Sequence, residues 1–299
     1  MAATGNNYNI LFEIVSEEDV KIKGHCNTNN HKNADIKSVL GIDIPDLTEK
    51  EYIDELELTN KNRWCHLFSK DIAIINFTLE ECRMIKDASL IGYQTGKLPG
   101  LYKDELLELI EKIDHIMQTL DGHKYFVRLN RHSPKDGIHG AGPMNNGRMI
   151  VEALCTSMHT HKSMSSALSY GEVETLYINT WNDLWYDHAS YEFRVFVLNG
   201  RITGISQYQW NKNVNLSEHI HKLSHMIIEY VTGVIGKVDW IPHRNFVVDV
   251  ITINNTYVQF VELNPCGMMV AAGSCCFHWL LDYHKLYNDH RKIYIRYVG

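Results

Sequence analysis

The stretch NFVVDVITINNTYVQFVELNPCG, residues 245–267, predicts two β-strands joined by a tight turn. Its two runs of β-branched and aromatic residues flank Asn254-Asn255, and asparagine tolerates the positive φ that a two-residue hairpin turn requires. With that turn, Asp249 faces Phe260 in the neighbouring strand. The stretch therefore predicts a β-hairpin whose turn decides which side chains share a face.

One face of this hairpin carries side chains with oxygen atoms. Because side chains alternate between the two faces of a strand, Asp249, Glu262 and Asn264 fall on the same face. Two carboxylates and a carboxamide form an all-oxygen donor set, which suits Mg²⁺ better than zinc. The alternative is the acidic, solvent-facing side of an ordinary hairpin. The apolar residues of the other face and the strand stop at Pro265 favour a metal site.

Composition indicates a globular protein without a membrane span. The chain has 299 residues, enough for one large domain or two modest ones, and its net charge of −7 argues against a broad nucleic-acid-binding surface. No apolar run approaches the roughly 20 residues needed to cross a bilayer, and the N-terminus shows no secretory signal. Its 7 cysteines are irregularly spaced, without a Cys-x-x-Cys pair, which indicates reduced, buried thiols. We expect a cytoplasmic protein.

A strand that runs into a glycine-containing loop, YFVRLNRHSPKDGIHGAGPMNNG at residues 125–147, is a candidate phosphate-binding segment. Small residues let backbone N–H groups approach phosphate oxygens, and Arg128 and Lys135 add positive charge. The spacing of Gly142 and Gly147 imitates a P-loop, but arginine and methionine replace its lysine and hydroxyl residue, so we exclude a P-loop NTPase. The alternative for the two cations is an exposed loop lysine and an edge-strand arginine.

A second hairpin is predicted in YEFRVFVLNGRITGISQYQW, residues 191–210, where Asn199-Gly200 is a strong type I′ turn signal. With that turn, Glu192 faces Gln207, so that Glu192, Arg194 and Gln207 share one face. A charged pair on a sheet face beside aromatic residues is either a structural ion pair or a phosphate-binding site. Taken alone, the pattern favours the ion pair.

Four segments follow one another in a recognisable order: YFVRLNRHSPKDG, EFRVFVLNGRITGISQYQW, NFVVDV and FVELNPCG. In this order they resemble the cell-division-cycle-123 family, a divergent branch of the ATP-grasp superfamily. The similarity runs from about Arg63 to the end and is dense in residues 125–267. It implies an α+β, ATP-grasp-like fold with largely antiparallel sheets and ATP bound between two α+β lobes. We expect an N-terminal polar extension packed on the fold (1–62), an N-terminal lobe (63–180) and a C-terminal lobe with the metal ligands (181–299).

The resemblance also implies the roles of individual residues. Its Mg²⁺ ligands match Asp249, Glu262 and Asn264. Its nucleotide contacts are basic side chains near the phosphates, a hinge strand whose backbone hydrogen-bonds adenine, and residues of the two hairpins: Arg128, Lys135, Tyr177, Ile178, Asn179, Arg194, Gln207 and Leu263. In an enzyme, Arg194 and Lys135 would be the catalytic groups, as electrostatic clamps on the phosphates.

This sequence departs from the family pattern in three places. Arg128 stands where the family usually has lysine, and Glu262 stands where it usually has aspartate. Family members usually continue into an acidic tail that helps to grip the gamma subunit of eukaryotic translation initiation factor 2, whereas this sequence ends at Gly299.

Three functions follow from these observations. The resemblance implies an ATP·Mg²⁺-binding assembly factor for translation initiation factor 2, with the gamma subunit as partner. The alternative is an ATP-dependent ligase of ATP-grasp type, either an RNA-repair ligase that acts on RNA ends or a carboxylate–amine ligase. A third hypothesis is a degenerate scaffold that binds no nucleotide, and the retained Asp249, Glu262 and Asn264 argue against it.

Overall fold

The computed structural model describes residues 9–22, 30–68, 72–187, 191–270, 272–288 and 291–299. Contacts divide the chain into two compact units. The discontinuous unit comprises the described residues of Met1–Asn60 and Asp183–Gly299, and the inserted unit is Lys61–Asn182. The three-part division at residues 62 and 180 stays a prediction. No helix among the described residues is long and apolar enough to cross a membrane.

Helices and strands are interspersed along the chain. The strands are β1 (Asn9–Val15), β2 (Ile72–Asn76), β3 (Tyr125–Leu129), β4 (Thr175–Thr180), β5 (Glu192–Leu198), β6 (Arg201–Gln207), β7 (Phe246–Ile253), β8 (Tyr257–Pro265) and β9 (Lys292–Val298). The α-helices are α1 (Glu17–Ile22), α2 (Asn33–Leu40), α3 (Glu49–Glu57), α4 (Lys61–Phe68), α5 (Leu79–Thr95), α6 (Lys103–Met117), α7 (Gly147–Cys155), α8 (Met158–Ser169), α9 (Asp183–Asp187) and α10 (Ile220–Lys237). A 3₁₀ turn spans Gly100–Tyr102 and a π-helical turn spans His284–Asn288.

The inserted unit packs helices against one face of an antiparallel sheet with strand order β2-β4-β3. Alternate residues of the strands, such as Val127, Leu176 and Ile178, are buried in the same core as residues of α5, α6 and α7. The opposite face of this sheet carries Arg128, which is directly paired with Tyr177. One side of the sheet thus builds the core, and the other side presents polar side chains.

The discontinuous unit is built on a six-stranded sheet with strand order β1-β9-β6-β5-β7-β8. The pairs β1–β9 and β6–β9 are parallel, and the other neighbouring pairs are antiparallel. α10 contacts β6, β7 and β8, because its apolar residues recur at helical spacing and are buried: Ile220, Leu223, Ile227, Val231 and Val234. Every residue of β7 is buried, so both faces of this strand are covered.

The N-terminal residues that the structure describes contribute to the discontinuous unit. Ile36 of α2 is buried in a core cluster that also contains residues of β5 and β7. Trp240 Nε1 donates to the Leu58 carbonyl at 2.8 Å, and His243 Nε2 lies 2.9 Å from Glu55 Oε2. The cysteines that the structure describes are buried free thiols, as expected: Cys65, Cys82, Cys155, Cys266, Cys275 and Cys276. Cys26 lies outside the described residues.

The β7–β8 hairpin forms, but its predicted register is wrong. The connection contains three residues, Asn254 to Thr256, because Ile253 pairs with Tyr257. Asn254 and Asn255 have φ values of 51° and 53°, as the turn chemistry required. A second shift follows, since Asp249 pairs with Glu262 and not with Phe260, which leaves Val261 as the extra residue of a β-bulge.

The β5–β6 hairpin has the predicted two-residue turn, with φ values of 51° at Asn199 and 71° at Gly200. Its register shifts once, between Phe196 and Val197, and Thr203 becomes the extra residue. Gln207 therefore pairs with Phe193, and Arg194 pairs with Ser206. The prediction that Gln207 shares a face with Glu192 and Arg194 is wrong, because one added residue moves every later side chain to the other face.

Candidate functional site

A row of charged and polar side chains crosses the six-stranded sheet of the discontinuous unit. Directly paired residues link one member of each strand to a member of the next. In sheet order from β1 to β8, this polar row consists of Glu13, Arg296, Ser206, Arg194, Asp249 and Glu262. Because paired residues share a face, the six side chains lie on the same side of the sheet.

Arg194 and Asp249 form a buried, bidentate ion pair within the polar row. Arg194 Nε and Nη2 donate to the two Asp249 carboxylate oxygens at 2.9 and 2.6 Å. Burial acts to lower the pKa of Arg194, but the Asp249 carboxylate outweighs it and raises that pKa, so the guanidinium stays charged. An ion pair is present, as the sequence pattern favoured, but the partner of Arg194 is Asp249 of β7 and not Glu192 of its own strand.

The three predicted metal ligands come together at the β8 end of the polar row. Asp249 lies directly opposite Glu262, and Asn264 Nδ2 donates to Asp249 Oδ2 at 2.8 Å and to Glu262 Oε1 at 3.2 Å. Burial raises the pKa of Asp249, the Glu262 carboxylate adds to that rise, and Arg194 acts in the opposite direction. Two acidic groups therefore stand side by side, an arrangement that a bound cation would stabilise.

The donor chemistry of this cluster fits a hard cation. Carboxylate oxygens come from Asp249 and Glu262, and the Asn264 amide would offer Oδ1 after a half-turn about χ2, since amide orientation follows its hydrogen bonds. In the described part of the chain, no group of three or more His, Cys, Asp and Glu side chains is arranged for a metal ion. A cation here would therefore depend on the amide and on oxygens supplied by a ligand, as is usual for Mg²⁺.

The opposite end of the polar row is a closed ion-pair network. Arg296 Nε donates to Glu13 at 2.7 Å, and its two terminal nitrogens donate to Asp282 at 2.5 and 2.8 Å. Lys285 Nζ donates to the second Glu13 oxygen at 2.5 Å. Although burial acts to raise it, the hydrogen bonds from Lys285 and Arg296 lower the pKa of Glu13. Two cations and two carboxylates balance here.

A short segment, residues 273–276, is held against the middle of the polar row. Arg194 Nη1 donates to the Gly273 carbonyl at 2.7 Å, and Arg296 Nη1 donates to the Cys276 carbonyl at 3.2 Å. Between them, Ser206 Oγ accepts a hydrogen bond from the Cys276 amide at 2.9 Å. Both arginines of the row therefore position the same piece of backbone, and Arg194 has a structural task beside its ion pair with Asp249.

Two predicted nucleotide contacts lie away from this cluster. Gln207 is fully buried on the other face of the sheet, where its Nε2 donates to the carbonyls of Gln209 and Lys212 at 2.7 and 2.6 Å. Its Oε1 accepts from the Val298 amide at 3.0 Å. Leu263 pairs with Val248 and is buried on the face opposite Glu262 and Asn264. Neither side chain joins the acidic cluster.

In the inserted unit, the structure brings three predicted nucleotide contacts to one sheet face. Arg128 pairs directly with Tyr177, and Asn179 follows two residues along β4, so the three side chains share the polar face. Ile178 points to the opposite face and is completely buried in the core. Burial raises the pKa of Tyr177 well above its usual range, so its hydroxyl remains a neutral hydrogen-bond donor.

The implied hinge contact to adenine does not fit the backbone of β4. This strand is the centre of its sheet, and Ile178 is paired with Ala73 on one side and with Val127 on the other. In such a strand, successive N–H and C=O groups point alternately to the two neighbours and are used in the ladder. The strand continues to Thr180. Side chains of β4, and not its backbone, are left to contact a ligand.

Two glycines of the loop after β3 are required by close packing. A Cβ atom on Gly137 would lie 2.6 Å from the Ala153 carbonyl, and one on Gly147 would lie 2.6 Å from the Ile110 carbonyl. Asp136 Oδ2 accepts hydrogen bonds from the first two amides of α8, at 3.0 and 3.2 Å. Lys135 is exposed in the turn before Asp136, and its role as a phosphate contact stays a prediction.

Three residues near the predicted sites were not predicted from the sequence to be site residues. The Tyr208 ring lies 5.1 Å from the Arg194 guanidinium carbon. Lys61 and Trp64 of α4 contact the polar face of the inserted sheet, with Lys61 Nζ 3.4 Å from Asn179 Oδ1. Tyr208 directly follows Gln207 in a quoted block, so the signal was present. Lys61 carried no signal, because it lies in the polar N-terminal part to which no chemistry was assigned.

The chain is similar to known proteins both in sequence and in structure. The translation initiation factor eIF2 assembly protein of Candida albicans is 28% identical over 203 residues, which are 62% of this chain and 57% of that protein. This chain therefore spans 57% of the length of that curated relative. The structure of Cdc123 from Schizosaccharomyces pombe superposes with a TM-score of 0.61 at 20% identity, covering 86% of this chain and 100% of the other. A C-terminally truncated form of that protein gives the same values.

The class of the protein follows from the fold. Two α+β units with largely antiparallel sheets confirm the expected α+β class, and the fold matches that of Cdc123. The family model described as D123 matches residues 144–299, just over half of the chain. This chain belongs to the D123 family. The resemblance to the cell-division-cycle-123 family is thereby confirmed.

Proposed function

We propose that this protein binds ATP with Mg²⁺ and acts as an assembly factor for eukaryotic translation initiation factor 2. The observation that carries the proposal is its membership of the D123 family, together with similarity to a protein named as an eIF2 assembly protein. The convergence of Asp249, Glu262 and Asn264 supports the metal part of the proposal.

Candidate groups for nucleotide binding occur in each unit taken by itself. In the discontinuous unit, Asp249, Glu262 and Asn264 would hold Mg²⁺, and Arg194 holds Asp249 in place through two hydrogen bonds. In the inserted unit, Arg128 would contact phosphate oxygens, and the side chains of Tyr177 and Asn179 would donate hydrogen bonds. Bound Mg²⁺ would neutralise charge on the phosphates.

Calorimetry tests the nucleotide part. ATP titrated into the purified chain should bind in the presence of Mg²⁺, and binding should weaken strongly when EDTA removes the metal. The Asp249→Ala variant should lose the Mg²⁺-dependent part. Equal Mg²⁺-dependent binding by both proteins would remove Asp249 from the site, and no binding by either would leave only a scaffold function.

A direct binding assay tests the partner. The immobilised gamma subunit of C. albicans eIF2 should retain the chain, and a single unrelated GTP-binding protein of similar charge serves as the control. Retention should be the same or stronger with ATP and Mg²⁺ in the buffer. Failure to bind the gamma subunit under both conditions would refute the assembly function and leave nucleotide binding unaffected.

The ligase alternative makes a different prediction. Release of AMP or ADP in the presence of RNA ends or of amino acids would indicate a ligase. The geometry of Arg194 favours a positioning role, because its three donor nitrogens already bind Asp249 and the Gly273 carbonyl. We therefore expect no turnover in these assays.

A further inference from the structure

The solvent-facing side of α10 carries two histidines that are one helical turn apart. His221 and His225 both lie within α10, and both are exposed. The opposite side of the helix is buried, for example at Leu223 and Ile227. Of the 17 histidines in the sequence, these two alone stand four residues apart. Because residues four apart share one face of a helix, with Cβ atoms about 5–6 Å from each other, the two imidazoles are surface neighbours.

The nitrogen atoms of these two rings have no structural task. Within the described part of the chain, the ring nitrogens of His221 and His225 take part in no hydrogen bond or ion pair. The contact that the structure gives His221 is made by the face of its ring, whose centre lies 4.0 Å from the centre of the Phe12 ring at a tilt of 46°. That contact limits the movement of His221 and leaves its nitrogens available to a ligand.

Two neutral imidazoles in this arrangement suit a transition-metal ion. Histidines four residues apart on a helix can bind one ion together, and imidazole nitrogen prefers transition metals to Mg²⁺, which prefers oxygen. Among the described residues, no third His, Cys, Asp or Glu side chain completes a metal-binding group, so water would fill the other positions. Zinc sites usually have three or four protein ligands, whereas Cu²⁺ and Ni²⁺ accept a tetragonal shell of nitrogen and oxygen.

We propose that His221 and His225 form a binding site for a divalent transition-metal ion of the nickel and copper class. The site is independent of the proposed nucleotide function, because its donors are nitrogen atoms of α10 and not the oxygen atoms of the acidic cluster. α10 packs against β6, β7 and β8 through its buried side. The two histidines are therefore held one turn apart before the ion binds, which lowers the cost of binding it.

The simpler explanation is that His221 and His225 are two solvated surface histidines that act separately. The two explanations differ in how metal binding depends on the spacing of the rings. Separate histidines each bind a metal weakly, and their contributions do not depend on where they stand. A shared site needs both rings at once and needs them one helical turn apart.

Calorimetry with Ni²⁺ tests the site. Ni²⁺ is the probe because, unlike Cu²⁺, it does not oxidise thiols, and excess Mg²⁺ in the buffer occupies sites built from oxygen atoms. The wild type should bind one Ni²⁺ ion more tightly than any other, and His221→Gln or His225→Gln should each weaken that event about 100-fold, since the second contact of a linked pair is lost. His115→Gln removes an exposed histidine from α6 and should bind Ni²⁺ like the wild type.

Two further variants move the pair without changing the number of histidines. Glu229 is exposed one turn after His225, so Glu229→His combined with His221→Gln restores a pair four residues apart and should restore most of the lost affinity. Lys222→His combined with His225→Gln places the two histidines side by side in sequence, on different faces of the helix, and should restore none of it.

The same titrations can overturn the proposal. Wild-type protein that binds no Ni²⁺, or single variants that bind it as tightly as the wild type, would remove the site from α10. Equal restoration by the two respaced variants would show that the histidines act separately, which also contradicts a shared site. All of these changes lie at exposed positions, and far-UV circular dichroism checks that each variant is folded.

Discussion

The two ends of the polar row use similar residues for different purposes. At one end, which we call the locked end, Arg296 and Lys285 face Glu13 and Asp282, so cations and carboxylates balance. At the other, the site end, Asp249 and Glu262 lie against Arg194 with Asn264 beside them. The same sheet face thus carries a balanced network at one end and two neighbouring carboxylates beside Arg194 at the other.

This difference indicates that the locked end contributes to stability and the site end to ligand binding, although both belong to one layer of side chains. Every oxygen of Glu13 and Asp282 accepts a hydrogen bond from a cation. A metal ion could bind at the locked end only by displacing one of these cations. At the site end, burial raises the pKa of Asp249, and repulsion from the neighbouring Glu262 carboxylate adds to that rise. A cation bound there would remove that repulsion, and substitutions at the two ends should therefore have opposite signatures.

Arg296→Met should have the largest effect on stability. It leaves Asp282 buried without its bidentate partner, and breaking a buried ion pair from one side costs about 3–5 kcal/mol. Urea denaturation should show this loss, and calorimetry below the transition should show unchanged Mg²⁺·ATP affinity. Lys37→Met, which removes an exposed ion pair with Asp43, serves as the control and should change stability by less than about 1 kcal/mol. A parallel loss of ATP affinity in Arg296→Met would contradict the separation of the two ends.

Glu262→Gln should have the opposite effects, with little change in stability and a loss of Mg²⁺·ATP affinity. The change removes a carboxylate that lies directly opposite Asp249, and like charges at such positions destabilise a sheet, so stability should stay within about 0.5 kcal/mol or rise. Mg²⁺·ATP affinity should fall about 10- to 150-fold, the value of one contact to a charged group. Calorimetry with and without Mg²⁺ checks this result, and a variant that binds as tightly as the wild type would remove Glu262 from the site.

The loss of stability at acid pH should arise at the locked end, from protonation of Glu13. The folded-state pKa of Glu13 is lowered, so its contribution is fully present above the unfolded value of about 4.3 and is lost as pH falls through the folded pKa. Glu13→Gln should cost about 1–2 kcal/mol at pH 7 and progressively less towards pH 3. Urea midpoints at a series of pH values measure the difference, and a cost that is independent of pH would count against this origin.

The ring over Arg194 should give the smallest effect. Tyr208→Leu removes a cation–π contact worth about 0.5–2 kcal/mol, whereas Tyr208→Phe keeps the ring and should lose less. Thermal unfolding of both variants measures the difference. Equal losses in the two variants would mean that the hydroxyl, and not the ring, matters beside Arg194.

The two hairpins explain how much of the site could be predicted from the sequence. Both turns were located correctly, and both registers changed at a β-bulge. Around Asp249, a three-residue turn and the bulge at Val261 add two shifts, so Glu262 and Asn264 return to the predicted face. Around Arg194, the bulge at Thr203 adds one shift, and Gln207 moves to the other face. Two shifts leave a side chain on its predicted face and one shift moves it to the other face, so the prediction held around Asp249 and failed for Gln207.

Other features depended on contacts that the sequence does not encode locally. The α+β class and the choice of Arg128 and Tyr177 as nucleotide contacts followed from the order of motifs, whereas their place on one sheet face is visible only in the structure. The pairing of Arg194 with Asp249, and of Arg296 with Glu13, requires the order of strands in the sheet. The burial of Lys61 requires knowledge that Asn130 anchors α4, because nothing in a polar N-terminal segment signals it.

Manganese provides the most direct measurement of the central claim, which is that the site end holds the metal of a bound nucleotide and the locked end does not. Mn²⁺ replaces Mg²⁺ in a titration with ATP, and the relaxation of water protons reports the metal held on the protein. We expect a large relaxation enhancement in the wild type and in Arg296→Met, measured below its melting transition, and a loss of most of it in Glu262→Gln. The same enhancement in all three proteins, or none in the wild type, would contradict the assignment of the site end.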